Sequence, residues 1–172
     1  QVGLIPGKFL VGDANLSVTG SAIASYLPAS KLGADQHIYI WNGGLGIDPA
    51  VFGKDGVNYI TIAGITTLTG YNLGGTFRSN ATMPVMDAYA IDSKLDDGKP
   101  QTGFVKAMHI GNYGGGAALW ASKPPPVTGP NPTTTATAAS TTTCMDNGGV
   151  VGPMNYSVSG NNKTCALTFR LY

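Results

Sequence analysis

The chain contains no glutamate, and all nine of its acidic residues are aspartate. Charged residues of either sign make up only 11% of the 172 residues, leaving a formal net charge of +1. That excludes the strong basic field on which non-specific nucleic-acid binding depends. It equally excludes a polybasic patch for an anionic membrane surface. Glu, Lys and Arg are the usual solvated residues of helix surfaces. Their scarcity points to a β- and loop-rich domain with a neutral, hydroxylated surface. Long apolar runs are lacking too, and none reaches the ~20 residues that cross a bilayer as a helix. No basic segment precedes an apolar one at Gln1-Val2-Gly3-Leu4, so no signal peptide is read there. An exported chain of this kind is expected to have been processed or trimmed.

Motifs that carry chemistry are missing as well. Only two histidines occur, His37 and His109, both in apolar, strand-like runs where a structural role is expected. There is no serine elbow, no phosphate loop and no His-x-x-x-His spacing. The glycine-rich run Gly111-Asn112-Tyr113-Gly114-Gly115-Gly116 is not followed by Lys-Ser or Lys-Thr and reads as a turn. No catalytic residue and no cofactor site are therefore expected, and the chain reads as a non-enzyme.

What is present suffices for one ordinary domain with a real core: 42% of residues are hydrophobic. The only cysteines are Cys144 and Cys165. The low-charge, Thr/Asn/Gly-rich composition reads as secreted, where a disulfide is the default. A bridge closing about 20 residues would stabilise the fold by about 3 kcal/mol, mainly by constraining the unfolded chain. The alternative is two buried free thiols. Four glycosylation sequons, at Asn15, Asn80, Asn155 and Asn162, are about what so Asn- and Thr-rich a chain gives by chance, and the 133–143 tract is the better candidate for O-linked sugar.

Along the chain, residues 2–18 hold too many Gly and Pro for a continuous helix. Ser21–Leu27 reads as one or two helical turns stopped by Pro28. His37–Trp41 is a strand ended by Asn42-Gly43-Gly44. Val57–Ile62 is either a strand or the start of a helix running to Leu68. The clearest helix is Pro84–Leu95, with Thr82 as N-cap, Pro84 in the first turn and Val85, Ala88, Ile91 and Leu95 on one apolar face. Gly98 supplies a left-handed cap and Pro100 prevents continuation. Phe104–Ile110 and Ala117–Trp120 read as strands. The Pro- and Thr-rich 123–143 stretch reads as a surface loop. Tyr156–Ser159 and Ala166–Leu171 read as two strands around a hairpin turn at Gly160–Lys163.

One polar cluster stands out. Asp92 and Asp96 lie four apart on a helix face, and Asp96 and Asp97 sit at its C-terminus, where the helix dipole disfavours negative charge. Compensation is expected from Lys94, Lys99 or Lys106, or from backbone N–H groups in the turn after Gly98. Calcium, held by Asp92, Asp96 and Asp97, is the sharper alternative. No spaced ligand loop of the usual kind follows, so the structural reading is preferred and no metal is expected.

Two segments resemble a bacterial family. Tyr89-Ala90-Ile91-Asp92-Ser93-Lys94-Leu95-Asp96-Asp97-Gly98-Lys99-Pro100-Gln101-Thr102-Gly103 is similar to a stretch of prepilin-like proteins in the type IV pilin and type II secretion pseudopilin superfamily. It combines a helix, an Asp-Asp-Gly cap and a Pro-x-x-Gly exit. Cys144 through Cys165-Ala166-Leu167-Thr168-Phe169 resembles their C-terminal disulfide region. Together they cover roughly a quarter of the chain. The resemblance implies an α+β, pilin-like head spanning 1–172, an antiparallel β-sheet with short helices and a disulfide-closed hairpin region at 144–172. It implies a structural subunit of an extracellular filament, anchored in the inner membrane before assembly by an N-terminal apolar helix that this sequence does not contain. The implied partners are other copies or related subunits, the inner-membrane assembly machinery, and a surface receptor or glycan. The family's glutamate near that terminus has no counterpart here. The rivals are a stand-alone secreted β-rich adhesin or binding module and, with no polar triad behind it, a secreted hydrolase.

Overall fold

The computed structural model describes residues 14–33, 35–42, 57–70, 77–111, 117–121, 138–160 and 162–171. The 112–116 glycine run, residues 2–13 and most of the 123–143 stretch lie outside them. The described chain is mostly antiparallel sheet with short helices and one disulfide. Among the described residues no helix is long and apolar enough to cross a membrane.

Strands β1 (Ser17–Thr19), β2 (His37–Asn42), β3 (Asn58–Thr69) and β4 (Phe77–Asn80) build one sheet with two later strands. Its spine is β3, a single strand of 12 residues. The alternative helix over 57–68 is not adopted, because both edges of β3 are paired along its length. Its first half lies between β2 and β12 (Leu167–Arg170), and its second half between β1 and β4. Gly64 marks the change of neighbours. A Cβ there would lie 2.6 Å from the Thr82 methyl carbon, so only glycine permits this approach. Strand β6 (Val105–Lys106) closes the sheet against β12.

The pairing sorts the side chains into two faces. Ile38 and Ile40 sit beside Ile62 and Ile60, which in turn adjoin Leu167 and Phe169. The other face carries Tyr39, Thr61 and Thr168 in one row. The Trp41 indole N–H donates to Thr61 Oγ1 at 2.8 Å, and Thr168 Oγ1 donates to the Met108 carbonyl at 2.9 Å. The Thr61–Thr168 contact of 2.7 Å must then use the Thr61 proton, giving one directed chain of hydrogen bonds. Such a chain lets hydroxyls be buried without a desolvation penalty.

The one α-helix among the described residues, α1, spans Val85–Leu95. Its N-cap is Pro84 and not Thr82. Pro84 is held extended in β5 (Met83–Pro84) by pairing with β11 (Lys163–Cys165), and Val85 N–H donates to the Asn162 carbonyl at 3.1 Å. The residue that leads into β11 thus supplies an acceptor at the helix start, where the Thr82 side chain was expected to give one. The buried stripe is Val85, Ala88 and Asp92, whereas Leu95 is 52% exposed. Ile91 packs part-buried against the core as expected, and a carboxylate, Asp92, is buried beside it.

The Phe104–Ile110 run divides at Ala107 into β6 and β7 (Met108–Gly111), which belong to different sheets; β7 pairs with β8 (Ala117–Trp120). Tyr156–Ser159 is not the partner of the final strand. Only Asn155–Tyr156 is extended, as β10, and it pairs with β9 (Met145–Asp146). The hairpin of the disulfide region thus lies within the loop that Cys144–Cys165 closes, because the final strand is committed to β3 and β6. At the expected turn, a Cβ on Gly160 would lie 2.1 Å from the Thr141 carbonyl oxygen, a main-chain contact that fixes glycine there. The core gathers Ile23, Met83, Val85, Val105, Met145, Leu167 and the buried disulfide. Full burial of each aliphatic side chain contributes about 1.5–3 kcal/mol.

Candidate functional site

The end of α1 brings Asp92, Asp96 and Asp97 together, with one oxygen from each lying within 4.8 Å of the others. Asp92 is fully buried, Asp96 half-buried and Asp97 exposed. Three carboxylates so close are held by donors. Asp92 Oδ1 accepts the Gly98 N–H at 3.2 Å, and its Oδ2 accepts the Tyr156 hydroxyl at 2.7 Å. Asp96 Oδ2 accepts the Phe104 and Val105 N–H groups at 2.5 and 2.9 Å. Asp97 accepts the Lys99 N–H at 2.9 Å and the Thr102 hydroxyl at 2.5 Å. Compensation thus comes from turn N–H groups and two hydroxyls, one of the routes open to the sequence.

The glycines of the exit follow from this geometry. Gly98 and Gly103 both have φ of 69°, a left-handed conformation that costs other L-residues energy. A Cβ on Gly103 would lie 1.8 Å from Asp96 Oδ2. The Pro-x-x-Gly exit therefore lets the chain fold over the Asp96 carboxylate and present two successive N–H groups to it.

Burial outweighs these hydrogen bonds at Asp92. It pushes the carboxyl up from 3.8 to about 6, with Asp97 and Asp96 adding to the rise while Tyr156 and Gly98 oppose it. Tyr156 is pushed up in turn by its own burial and by the Asp92 charge, so it remains a donor.

The same turn grips the disulfide region. Tyr156 stands on β10, and its ring meets that of Tyr89 edge-on at 5.9 Å. Gln101 Oε1 accepts the Met154 N–H at 2.9 Å. Cys144 and Cys165 are bonded, with Cα atoms 4.9 Å apart. Tyr156 and Gln101 were not singled out in the sequence as partners of the acidic cluster. No local spacing signals a contact between residues 64 positions apart.

The histidines lie elsewhere. His109 is buried on β7, and its Nδ1 is 3.1 Å from Ser79 Oγ. The Ser79 hydroxyl donates to the Ile110 carbonyl, so His109 Nδ1 is the donor of that pair. Burial lowers the His109 imidazole to about 4, keeping it neutral. This hydroxyl–imidazole contact runs in the wrong direction to activate a serine, whose proton is already engaged. His37 is buried on β2, and burial lowers it also.

No family model matches the chain, and no curated protein or solved structure matches it.

Proposed function

We propose that the chain is the head of an extracellular filament subunit of the type IV pilin or pseudopilin kind, acting through packing and surface contact and not through catalysis. The observation that carries this reading is the docking of two segments on each other: the Asp-Asp-Gly exit of α1 and the Cys144–Cys165 region. Those are the segments that resemble prepilin-like proteins. Asp92 with Tyr156, and Gln101 with Met154, join them directly. A subunit that bears load along a filament needs its last segment fixed to the body of the domain, and a disulfide with buried polar cross-links does that. Met86 on the outer side of α1 is 47% exposed, which suits a helix that meets a neighbouring subunit. Such a subunit would be membrane-anchored before assembly and extracellular afterwards, with other copies or related subunits as its partners.

The test is to shear surface filaments from producing cells and look for this chain in them by mass spectrometry and immunogold labelling. Surface display should vanish when the prepilin peptidase is deleted. Recovery of the chain only as free protein in the medium, unaffected by that deletion, would sink the reading. The second reading, a stand-alone secreted β-rich adhesin or binding module, is favoured by Val150 and Val151. They are 69% and 66% exposed between β9 and β10, beside Gly148 and Gly149. It would be supported by the free, peptidase-independent form.

A further inference from the structure

The chain holds two Asn-Gly steps, Asn42-Gly43 and Asn147-Gly148. Their asparagines sit in different surroundings. Asn42 ends β2 in register with Asn58, and its Nδ2 donates to Asn58 Oδ1 at 3.0 Å. Main chain and side chain are both pinned there. Asn147 instead leaves β9 for the turn that leads to β10. The Val150 N–H donates to the Asn147 carbonyl at 3.2 Å, with Gly148 and Gly149 between them at φ of 65° and 83°. Two successive positive φ values make this a type I′ turn. Residues 148–151 are exposed, and a Cβ on Gly148 would meet nothing within 4 Å among the described residues. Packing therefore does not demand glycine at 148. Glycine there supplies the turn and leaves an uncrowded amide nitrogen next to the Asn147 side chain.

Two contacts bear on that nitrogen and that side chain. The Gly148 N–H donates to Asp146 Oδ1 at 3.1 Å, so a carboxylate already holds the proton that the nitrogen would have to lose. Asn147 Nδ2 donates to the Gly152 carbonyl at 3.3 Å, a long bond whose loss disturbs the turn little.

From this geometry we propose that Asn147 is a site of spontaneous deamidation through a succinimide, which turns the β9–β10 connection from neutral to acidic as the protein ages. The Gly148 nitrogen gives up its proton and attacks Asn147 Cγ. The new N–Cγ bond closes a five-membered ring, and the Cγ–Nδ2 bond breaks as Nδ2 leaves with a proton as ammonia. Water then opens the ring. Cleavage of the N–Cγ bond gives aspartate. Cleavage between the same nitrogen and the Asn147 main-chain carbonyl carbon gives isoaspartate. One water enters, one ammonia leaves, and nothing is oxidised or reduced. The new carboxylate follows Asp146 directly and precedes the exposed Val150 and Val151, and its charge cancels the formal net charge of +1. The isoaspartate form also adds a main-chain methylene between the two strands.

The test is to hold the folded chain, disulfide intact, at about pH 8 beside the same chain unfolded in urea. Peptide mapping by mass spectrometry follows both asparagines, and electron-transfer fragmentation separates isoaspartate from aspartate. In urea both should convert at similar rates, since both precede glycine. In the folded chain Asn147 should convert at least about tenfold faster than Asn42, because a turn opens locally far more readily than a paired strand. Isoaspartate should form along with aspartate, and an acidic band should grow on isoelectric focusing. Gly148→Ala places a methyl group beside the attacking nitrogen and should slow conversion of Asn147 by about tenfold or more, in the folded and the unfolded chain alike. The proposal is overturned if folded Asn147 is unchanged once the unfolded chain has fully converted, or if it converts no faster than Asn42. It is equally overturned if aspartate alone forms, or if Gly148→Ala converts as fast as the parent in urea, since either result means direct hydrolysis of the amide without a ring.

Discussion

At the scale of single residues, the helix exit turns on two that behave against type. Gly103 is one, because its missing side chain is where Asp96 Oδ2 sits. Gly103→Ala should destabilise the fold by about 1–3 kcal/mol from backbone strain, with the loss of hydrogen bonds to Asp96 added to it. Denaturant unfolding reads this directly, and a change below about 0.5 kcal/mol, the scatter of neutral surface changes, would refute the account. Asp92 is the other. Its carboxyl is raised to about 6 in the folded chain from an ordinary 3.8. Between those values the native state keeps a proton that the unfolded chain has lost. Folding is then favoured at the acid end, and this contribution is lost as pH rises through the window, levelling off above the folded value. The groups that face it are Tyr156, Asp96 and Asp97, and none of them is a cation. Relative to Asp92→Asn, the parent should therefore lose on the order of 1–3 kcal/mol of stability between pH 4 and pH 7. Parallel pH profiles for the two proteins would rule this out.

Among the elements, the contact of α1 with β10 is the one that joins separate parts of the chain. Tyr156→Phe keeps the ring against Tyr89 and removes only the hydroxyl that Asp92 accepts. Hydrogen bonds to charged groups contribute about 1.5–3 kcal/mol, so that is the expected loss at pH 7, with a smaller one at pH 4 where Asp92 is protonated. An equal loss at both pH values would show that the bond does not depend on the Asp92 charge. Helix α1 and strand β2 were legible in the sequence, since each carries its own period and its own stop signal. The ends of α1 were less so. Its cap acceptor comes from Asn162 and its buried stripe is completed by Asp92, and both depend on chain far away in sequence. Strand β4 had no signal at all: Phe77-Arg78-Ser79-Asn80 has no alternation, and only pairing with β3 makes it extended. The split of 104–110 into two sheets hinges on Ala107, whose N–H bonds to the Pro100 carbonyl and whose carbonyl takes the Ala121 N–H. No local pattern announces that.

For the molecule as a whole, the sequence disclosed its class and its disulfide but not its topology. The reason lies in β3, whose Ala63-Gly64 centre weakens the helix reading but does not announce that two sets of strands meet there. The acidic exit was legible as a cluster, and its two readings, structural turn or calcium site, differ in what they do to global stability. A cation would have to share oxygens already engaged: five of the six carboxylate oxygens of Asp92, Asp96 and Asp97 accept hydrogen bonds from the turn or from Tyr156. Four of these donors are backbone N–H groups, which cannot turn aside without unfolding the exit. Calcium also asks for six to eight oxygens. Saturation at 100 times Kd would add about 2.7 kcal/mol to the folded state. For a domain of this size that raises the unfolding midpoint by about 5–10 °C. The expected outcome is a midpoint that agrees within about a degree in millimolar calcium and in chelator at pH 7, where Asp92 is ionised and most open to a cation. A rise of several degrees, abolished by Asp96→Ala and Asp97→Ala, would make the exit a calcium site. The metal would then take over the bridging between α1 and the disulfide region that Tyr156 and Gln101 are assigned here.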